Sequence, residues 1–145
     1  MGRAGMTLIE LLIVLLILST LSAIGWKSLR RQRDAVALQE AANAVTRTLN
    51  LGRAVAISRR ETIRLQARTG EILLLSSDGA TVARLRIGPG TELPVDSVRA
   101  RPATIRFNSR GHAGAGSIYL WRRGTTVRLV CNFLGRVRRE VFSGP

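Results

Sequence analysis

The chain has 145 residues, room for one modest domain, and carries 23 Lys+Arg against 9 Asp+Glu, a formal net charge of +14. Hydrophobic residues make up 46% of it, which is too apolar for a disordered basic tail, while the charge is too high for an ordinary soluble enzyme. A single cysteine excludes an intramolecular disulfide, and one histidine leaves no cluster for a Cys/His zinc site. The composition indicates a basic protein with an acidic partner.

The positive charge is unevenly distributed along the chain. Residues 27–68 carry +7 and residues 69–96 carry −2. From Ser97 onward, ten arginines and a single acid, Glu140, give +9. A polyanion is therefore expected to meet the last third of the chain or residues 27–68, and not the middle.

Residues 6–26 form an apolar segment with one charge, Glu10. A helix of this length spans about 30 Å at 1.5 Å per residue, so a membrane helix is the first interpretation. A cleaved secretory signal and a plain membrane anchor are the alternatives, but the apolar core is long for a signal and an anchor leaves the carboxylate unexplained. Flanking charge alone favours a cytoplasmic location for the side that follows the segment.

The stretch Gly5-Met6-Thr7-Leu8-Ile9-Glu10-Leu11-Leu12 resembles the class III signal of type IV pilins and type II secretion pseudopilins. The resemblance implies that a prepilin peptidase cuts after Gly5 and methylates the new amino group of Met6. It also implies a cytoplasmic leader, a single pass through the lipid of the bacterial inner membrane, a periplasmic remainder, and incorporation with other pilins or pseudopilins into a filament. There, Glu10 would be stabilised by the N-terminal ammonium of a neighbouring subunit, which would set the docking register.

The helix is predicted to continue beyond the membrane, because apolar residues recur at three- to seven-residue intervals over residues 29–57. Beyond Glu61 the period changes to two, which is typical of strands, and residues 88–102, with three of the four prolines, are predicted to form an irregular loop. The predicted strands cover residues 62–67, 71–76, 81–87, 103–107, 117–121, 125–133 and 136–142.

We therefore expect an α+β, pilin-like fold in which a long N-terminal helix, membrane-spanning in its first half, packs on a C-terminal antiparallel β-sheet. The expected division is a prepilin leader over 1–5, a transmembrane and filament-core helix over 6–27, its amphipathic continuation over 28–60 and a globular β-rich periplasmic domain over 61–145.

Three short segments of the chain are similar to the GspH/FimT group of minor pseudopilins and minor pilins. They are Phe107-Asn108-Ser109-Arg110-Gly111, Ile118-Tyr119-Leu120 and Gly135-Arg136-Val137-Arg138. In FimT-like minor pilins of naturally transformable bacteria a terminal Gly-Arg-x-Arg motif binds DNA, so the resemblance implies the same here. Two arginines two positions apart in a strand lie about 6.6–7 Å apart on one face, close to the spacing of successive phosphates along a nucleic-acid strand. The predicted DNA-binding residues are Gly135, Arg136, Arg138 and Arg139, with Arg122, Arg123, Arg106 and Arg110 as further candidates.

The alternative is that these arginines form an ordinary solvent-exposed surface with no binding function. Tyr119 and Trp121 are candidates for stacking on bases, although alternating strand aromatics are more often core residues, so binding is expected to be independent of base sequence. His112 lacks catalytic partners and is expected to be an exposed loop residue, while Cys131 is expected to be a small buried residue. No enzyme activity, cofactor or metal is predicted.

Two functions remain open at this point. The first is a DNA-binding minor pilin of a type IV pilus that serves natural transformation. The second is a structural minor pseudopilin at the tip of a type II secretion pseudopilus, whose basic surface would face an acidic partner subunit.

Overall fold

In a computed structural model of the chain, the structure describes residues 7–143. The chain divides into two compact units, Met1–Arg33 and Asp34–Pro145. The described elements in chain order are α1 (Leu8–Arg59), β1 (Ile63–Arg68), β2 (Glu71–Leu75), β3 (Thr81–Arg86), β4 (Ser97–Arg101), β5 (Thr104–Phe107), β6 (Gly116–Arg122), β7 (Thr125–Cys131) and β8 (Val137–Ser143). The predicted α+β fold, a long helix followed by antiparallel strands, is confirmed.

The first unit contains the beginning of α1, which is capped by Thr7. The Thr7 hydroxyl accepts a hydrogen bond from the backbone N–H of Glu10 at 3.3 Å, and its carbonyl accepts one from Leu11 at 3.2 Å. Glu10 lies in the first turn, where its negative charge suits the positive end of the helix dipole. Glu10 therefore has a local structural role in addition to the assembly role predicted for it.

The predicted processing site and membrane span are only partly within the described residues. Gly5 and Met6 lie outside them, as does the leader. No helix among residues 7–143 is both long and apolar enough to cross a membrane. The transmembrane helix expected over residues 6–27 is therefore not confirmed and stays a prediction.

The second unit holds two four-stranded antiparallel sheets, with strand orders β3-β2-β1-β5 and β4-β6-β7-β8. Residues 34–59 of α1 pack against both sheets through Leu38, Val45 and Leu49, which share one core with Phe107 and Ile118. Among the described residues, every buried hydrophobic side chain lies between Leu38 and Cys131. A fragment of residues 34–145 therefore keeps the whole core and is expected to fold on its own.

The sheet arrangement differs from the single sheet expected from the sequence. Residues 88–102, predicted as an irregular loop, contain β4, which is an edge strand of the second sheet. Its arginines Arg99 and Arg101 are exposed and the intervening Ala100 is half-buried, so it alternates as a surface strand does. The prolines on either side of this short alternation, Pro94 and Pro102, obscured it in the sequence.

An ion pair joins α1 to the turn between β6 and β7. Arg122 contacts one carboxylate oxygen of Asp34 through Nε at 2.9 Å and Nη2 at 2.8 Å, and both side chains are only 17% exposed. Arg123 contacts the other oxygen at 3.0 Å, and Arg122 also donates to the carbonyl of Pro94. Burial alone would raise the pKa of Asp34, but the hydrogen bond and charge of Arg122, helped by Arg123, outweigh it and hold the pKa below its ordinary value.

Asp34→Asn in the fragment of residues 34–145 is expected to lower the free energy of unfolding at pH 7 by about 1–3 kcal/mol, because Arg122 loses its charged partner. A carboxylate with a lowered pKa stabilises the fold above its unfolded-state pKa, about 3.9, and ceases to do so as the pH falls through the folded-state pKa. Urea unfolding at several pH values should show the deficit of the variant shrinking below about pH 4.

The matched control is Glu40→Gln, which neutralises an exposed carboxylate on the same helix and should change the unfolding free energy by less than about 0.5 kcal/mol. Equal stabilities of Asp34→Asn and the unmutated fragment at pH 7 would contradict a stabilising role for the pair.

Candidate nucleic-acid interface

The connection that follows β5 is organised by one asparagine. The side-chain oxygen of Asn108 accepts hydrogen bonds from the backbone N–H of Arg110 at 3.0 Å and of His112 at 2.9 Å. The N–H of Gly111 donates to the Asn108 carbonyl at 2.9 Å, and Gly111 has a φ of +79°. Such a φ is readily adopted by glycine, which fixes its position in the turn.

The β7–β8 hairpin turn repeats this construction. The side-chain oxygen of Asn132 accepts a hydrogen bond from the N–H of Arg136 at 2.9 Å, and its carbonyl accepts one from Gly135 at 2.9 Å. Gly135 has a φ of +73°. Both turns are therefore Asn-x-x-Gly turns closed by an asparagine side chain. We call residues 108–112 and 132–136 together the loop pair.

The two members of the loop pair are in direct contact. The N–H of Ala113 donates to the carbonyl of Phe133 at 2.9 Å, and the rings of His112 and Phe133 stack with centroids 4.8 Å apart and an interplanar angle of 14°. His112, expected to be an exposed loop residue, is half-buried in this stack. The arginines Arg110 and Arg136 therefore belong to one surface.

Both turn glycines lie against the side chain of Arg53 on α1. A Cβ atom at Gly135 would come within 2.9 Å of Arg53 Cδ and 3.0 Å of the Gly111 carbonyl oxygen. A Cβ atom at Gly111 would come within 3.2 Å of Arg53 Nε and 2.7 Å of Ile57 Cδ1. The close backbone approach that Gly135 permits is therefore made within the chain, to Gly111 and Arg53.

The loop pair is strongly basic. It contains Arg110 and Arg136 but no acidic residue, and Arg53 adds a third positive charge beneath it. The Nε atom of Arg53 is buried and has no hydrogen-bond partner among the described residues. Arg138, two positions beyond Arg136, has an 83% exposed side chain that lies 3.9 Å from Glu140, too long for a strong ion pair.

Arg53 also lies close enough to influence Cys131. The Cys131 side chain is buried, as expected from the sequence. Burial raises the pKa of its thiol, and the positive charge of Arg53 offsets part of that rise. The thiol is therefore kept neutral and packs as an apolar group.

Two other predicted DNA-binding residues lie at the far end of the second sheet. Arg122 and Arg123 precede β7, whereas the loop pair follows it, and seven strand residues separate the two ends by about 20 Å. Both arginines are paired with Asp34. Their charges serve the fold, and the structure does not bring them to the loop pair.

Neither of the remaining two predicted residues belongs to the loop pair. Arg139 points to the helix side of the second sheet, where it donates a hydrogen bond to Asn43. Arg106 is exposed on β5 of the first sheet, opposite Arg64 of β1. Arg138 and Arg139 therefore project from opposite faces of the second sheet, because successive side chains of a strand alternate.

Sequence reasoning missed three exposed or half-buried arginines on the outward face of the second sheet, Arg99, Arg101 and Arg128. Arg128 lies over the ring of Tyr119, with its guanidinium carbon 5.7 Å from the ring centroid. Trp121 is 53% exposed, so it is not a core residue. The alternation of the β4 sequence Ser-Val-Arg-Ala-Arg was the signal that would have revealed this face.

Comparison with known families now identifies the chain's relatives. Residues 41–135 match the family described as type II transport protein GspH, and residues 1–26 match the prokaryotic N-terminal methylation motif. The chain belongs to the GspH family. This match confirms the resemblance to the GspH/FimT group that the sequence indicated. The GspH match ends at Gly135, so Arg136 and Arg138 lie outside it.

Solved structures share the fold of this GspH-family chain. The type IV minor pilin FimU of Pseudomonas aeruginosa matches with a TM-score of 0.56 and 21% identity, covering 71% of this chain and 87% of FimU. The minor pseudopilin EpsH from the type 2 secretion system of Vibrio cholerae matches with a TM-score of 0.51 and 14% identity, covering 70% of this chain and 94% of EpsH. No curated protein sequence matches the chain.

Gly135→Ala in the fragment of residues 34–145 is expected to open the loop pair, because its Cβ atom would clash with Arg53 and with the Gly111 carbonyl. The control is Gly124→Ala in the β6–β7 turn, where φ is +83° and no atom lies within 4 Å of the added Cβ. Both variants lose about 1–2 kcal/mol from the left-handed backbone conformation. Urea unfolding should show a further loss of about 1–3 kcal/mol for Gly135→Ala alone. Equal losses would argue against the close packing.

Proposed function

We propose that this protein is a minor pilin of a type IV pilus that binds DNA without sequence specificity and supports DNA uptake in natural transformation. The observation that carries the proposal is the closure of two arginine-bearing turns over Arg53. This closure supports the proposal because Arg110 and Arg136 then belong to two turns in direct contact, neither of which contains an acidic side chain, and Arg138 follows two residues after Arg136.

Guanidinium groups suit this role because their planar forks bind phosphate oxygens through two hydrogen bonds. Arg136 directly precedes the edge strand β8 and Arg138 is the second residue of that strand, and both side chains are exposed, so a nucleic-acid backbone can reach them. The loop pair and the start of β8 consist of turns and strand, so this surface offers no helix that could enter the major groove. Phosphate contacts would therefore supply the affinity, which makes the binding sensitive to salt and insensitive to base sequence.

The N-terminal segment supports filament assembly in this proposal. The methylation motif matched over residues 1–26 supports processing by a prepilin peptidase, and in this proposal the peptidase cleaves between Gly5 and Met6 and methylates Met6. The large apolar side chains at the start of α1, from Leu8 to Leu18, are exposed in the isolated chain. They would be covered by inner-membrane lipid before assembly, with the second unit in the periplasm, and by neighbouring pilins afterwards.

A structural role in a type II secretion pseudopilus is the second candidate. It is favoured by the tip of the β7–β8 turn, where Phe133 is 63% exposed and Leu134 is 50% exposed. Exposed apolar side chains of this size suit contact with a neighbouring protein subunit. In that case the arginines would face an acidic partner and DNA would not bind.

The double substitution Arg136→Gln/Arg138→Gln in the fragment of residues 34–145 is expected to weaken binding to duplex DNA about 10- to 100-fold, because two phosphate contacts are lost. The affinity can be measured by fluorescence anisotropy at fixed salt.

The matched control for this pair is Arg84→Gln/Arg86→Gln. It removes the same charge at the same two-residue spacing from β3, the edge strand of the first sheet, where both arginines are exposed. The control should weaken binding less than threefold. Equal effects of the two pairs would indicate attraction by net charge alone, and would remove the loop pair from the proposal.

Glu10→Ala in the full-length protein is expected to leave the protein in the membrane fraction but to reduce its amount in sheared filaments strongly, since the carboxylate would have lost its pairing with the neighbouring N-terminus. The control Glu40→Ala removes another exposed carboxylate of α1 and should leave incorporation unchanged. Normal incorporation of Glu10→Ala, measured by immunoblotting of sheared filaments, would disprove the assembly role.

A further inference from the structure

The outward face of the second sheet carries arginine and aromatic side chains in register across all four strands. One row of paired residues runs Arg99, Tyr119, Arg128 and Glu140 from β4 to β8. A neighbouring row begins with Arg101 on β4 and ends with Arg138 on β8. Paired residues in adjacent antiparallel strands project to the same side, so these side chains share one surface. We call it the basic aromatic face.

A cleft of about 450 Å³ opens on this face beside β4. It is lined by Ser97, Arg99, Arg101, Tyr119, Trp121 and Thr126. The volume falls within the range of small-ligand pockets, about 300–1,000 Å³, so it has room for a nucleotide. Trp121 is 53% exposed beside the cleft, and an aromatic ring in such a position offers a flat surface to a planar ligand.

The charges around the cleft favour an anionic ligand. Four arginines on the basic aromatic face are opposed by one acid, Glu140, which contacts Arg128 at 3.5 Å and Arg138 at 3.9 Å. None of the ion pairs found among residues 7–143 involves Arg99 or Arg101. Arg99 and Arg101 therefore line the cleft with Trp121, and no ion pair among these residues neutralises their charges.

We propose that the basic aromatic face binds single-stranded DNA, with a base stacked on Trp121 in the cleft and the phosphates held by Arg99, Arg101 and Arg138. This inference rests on the proposed function, because Arg138 connects the face to the DNA that the loop pair would hold. Arginines interleaved with exposed aromatic rings are the arrangement by which proteins bind single strands irrespective of sequence.

Duplex DNA does not readily stack a base on Trp121. Its bases are stacked inside the helix, and bringing one out costs several stacking and pairing interactions. An acidic protein partner would engage the arginines, but its binding would not depend on bases. A single strand is therefore distinguished from a duplex or an acidic protein by one property. Its affinity depends on the presence of bases when the number of phosphates is held constant.

The fragment of residues 34–145 provides a direct probe, because Trp121 is its only tryptophan. It is titrated with an oligothymidine of about 12 nucleotides and with an abasic strand of equal phosphate number, at one salt concentration. We expect oligothymidine to quench the Trp121 emission and to bind about tenfold more tightly than the abasic strand. Trp121→Ala should abolish this tenfold preference while leaving the affinity for the abasic strand unchanged.

The control is Leu51→Ala, which removes a large exposed side chain of α1 that belongs to neither the basic aromatic face nor the loop pair, and which should retain the preference. Equal affinities for the two strands without quenching would overturn the single-strand site while leaving phosphate binding by the loop pair intact. Binding of neither strand would overturn both the site and the proposed function. If Trp121→Ala does not fold, quenching and strand preference in the unmutated fragment still decide the question.

Discussion

The packing of two turns against the Arg53 side chain is the constraint on which the proposed interface depends. Gly111 and Gly135 leave no room for a Cβ atom there, and their backbones meet directly beside the guanidinium. The position of Arg53 is itself fixed by the preceding residue, Gly52, whose missing side chain lets α1 approach Leu74 and Phe107 on the first sheet. A glycine that weakens a helix by its propensity is therefore used to bring the helix and its arginine close to the strands.

The arginines of this chain divide into those that stabilise the fold and those left available to a ligand. Arg122 and Arg123 are committed to Asp34, so the turn between β6 and β7 is fastened to α1 and its positive charge is neutralised. At the other end of the same strands, Arg110 and Arg136 have no acid within their own turns. Net charge alone did not distinguish these groups, because both contribute equally to the total of +14.

Local features of the sequence predicted most of the fold, and contacts between distant residues account for what it missed. The periods of apolar residues predicted α1 and seven of the eight described strands, but β4 was obscured because prolines flank a five-residue alternation. The Gly-Arg-x-Arg stretch predicted that Arg136 and Arg138 follow a turn at the beginning of the last strand, since neighbouring residues determine this position, and their binding to DNA stays a prediction. The pairing of Arg122 with Asp34, 88 residues away, and the location of Arg53 beneath the turns have no local signature.

The central claim is that the surface around the loop pair binds DNA through phosphate contacts. It is tested most directly by the affinity of the fragment of residues 34–145 for duplex DNA across a salt series. Contacts to three to six phosphates predict that the logarithm of the association constant falls with the logarithm of salt concentration with a slope of about −3 to −5. No binding at low salt, or an affinity independent of salt, would contradict the claim.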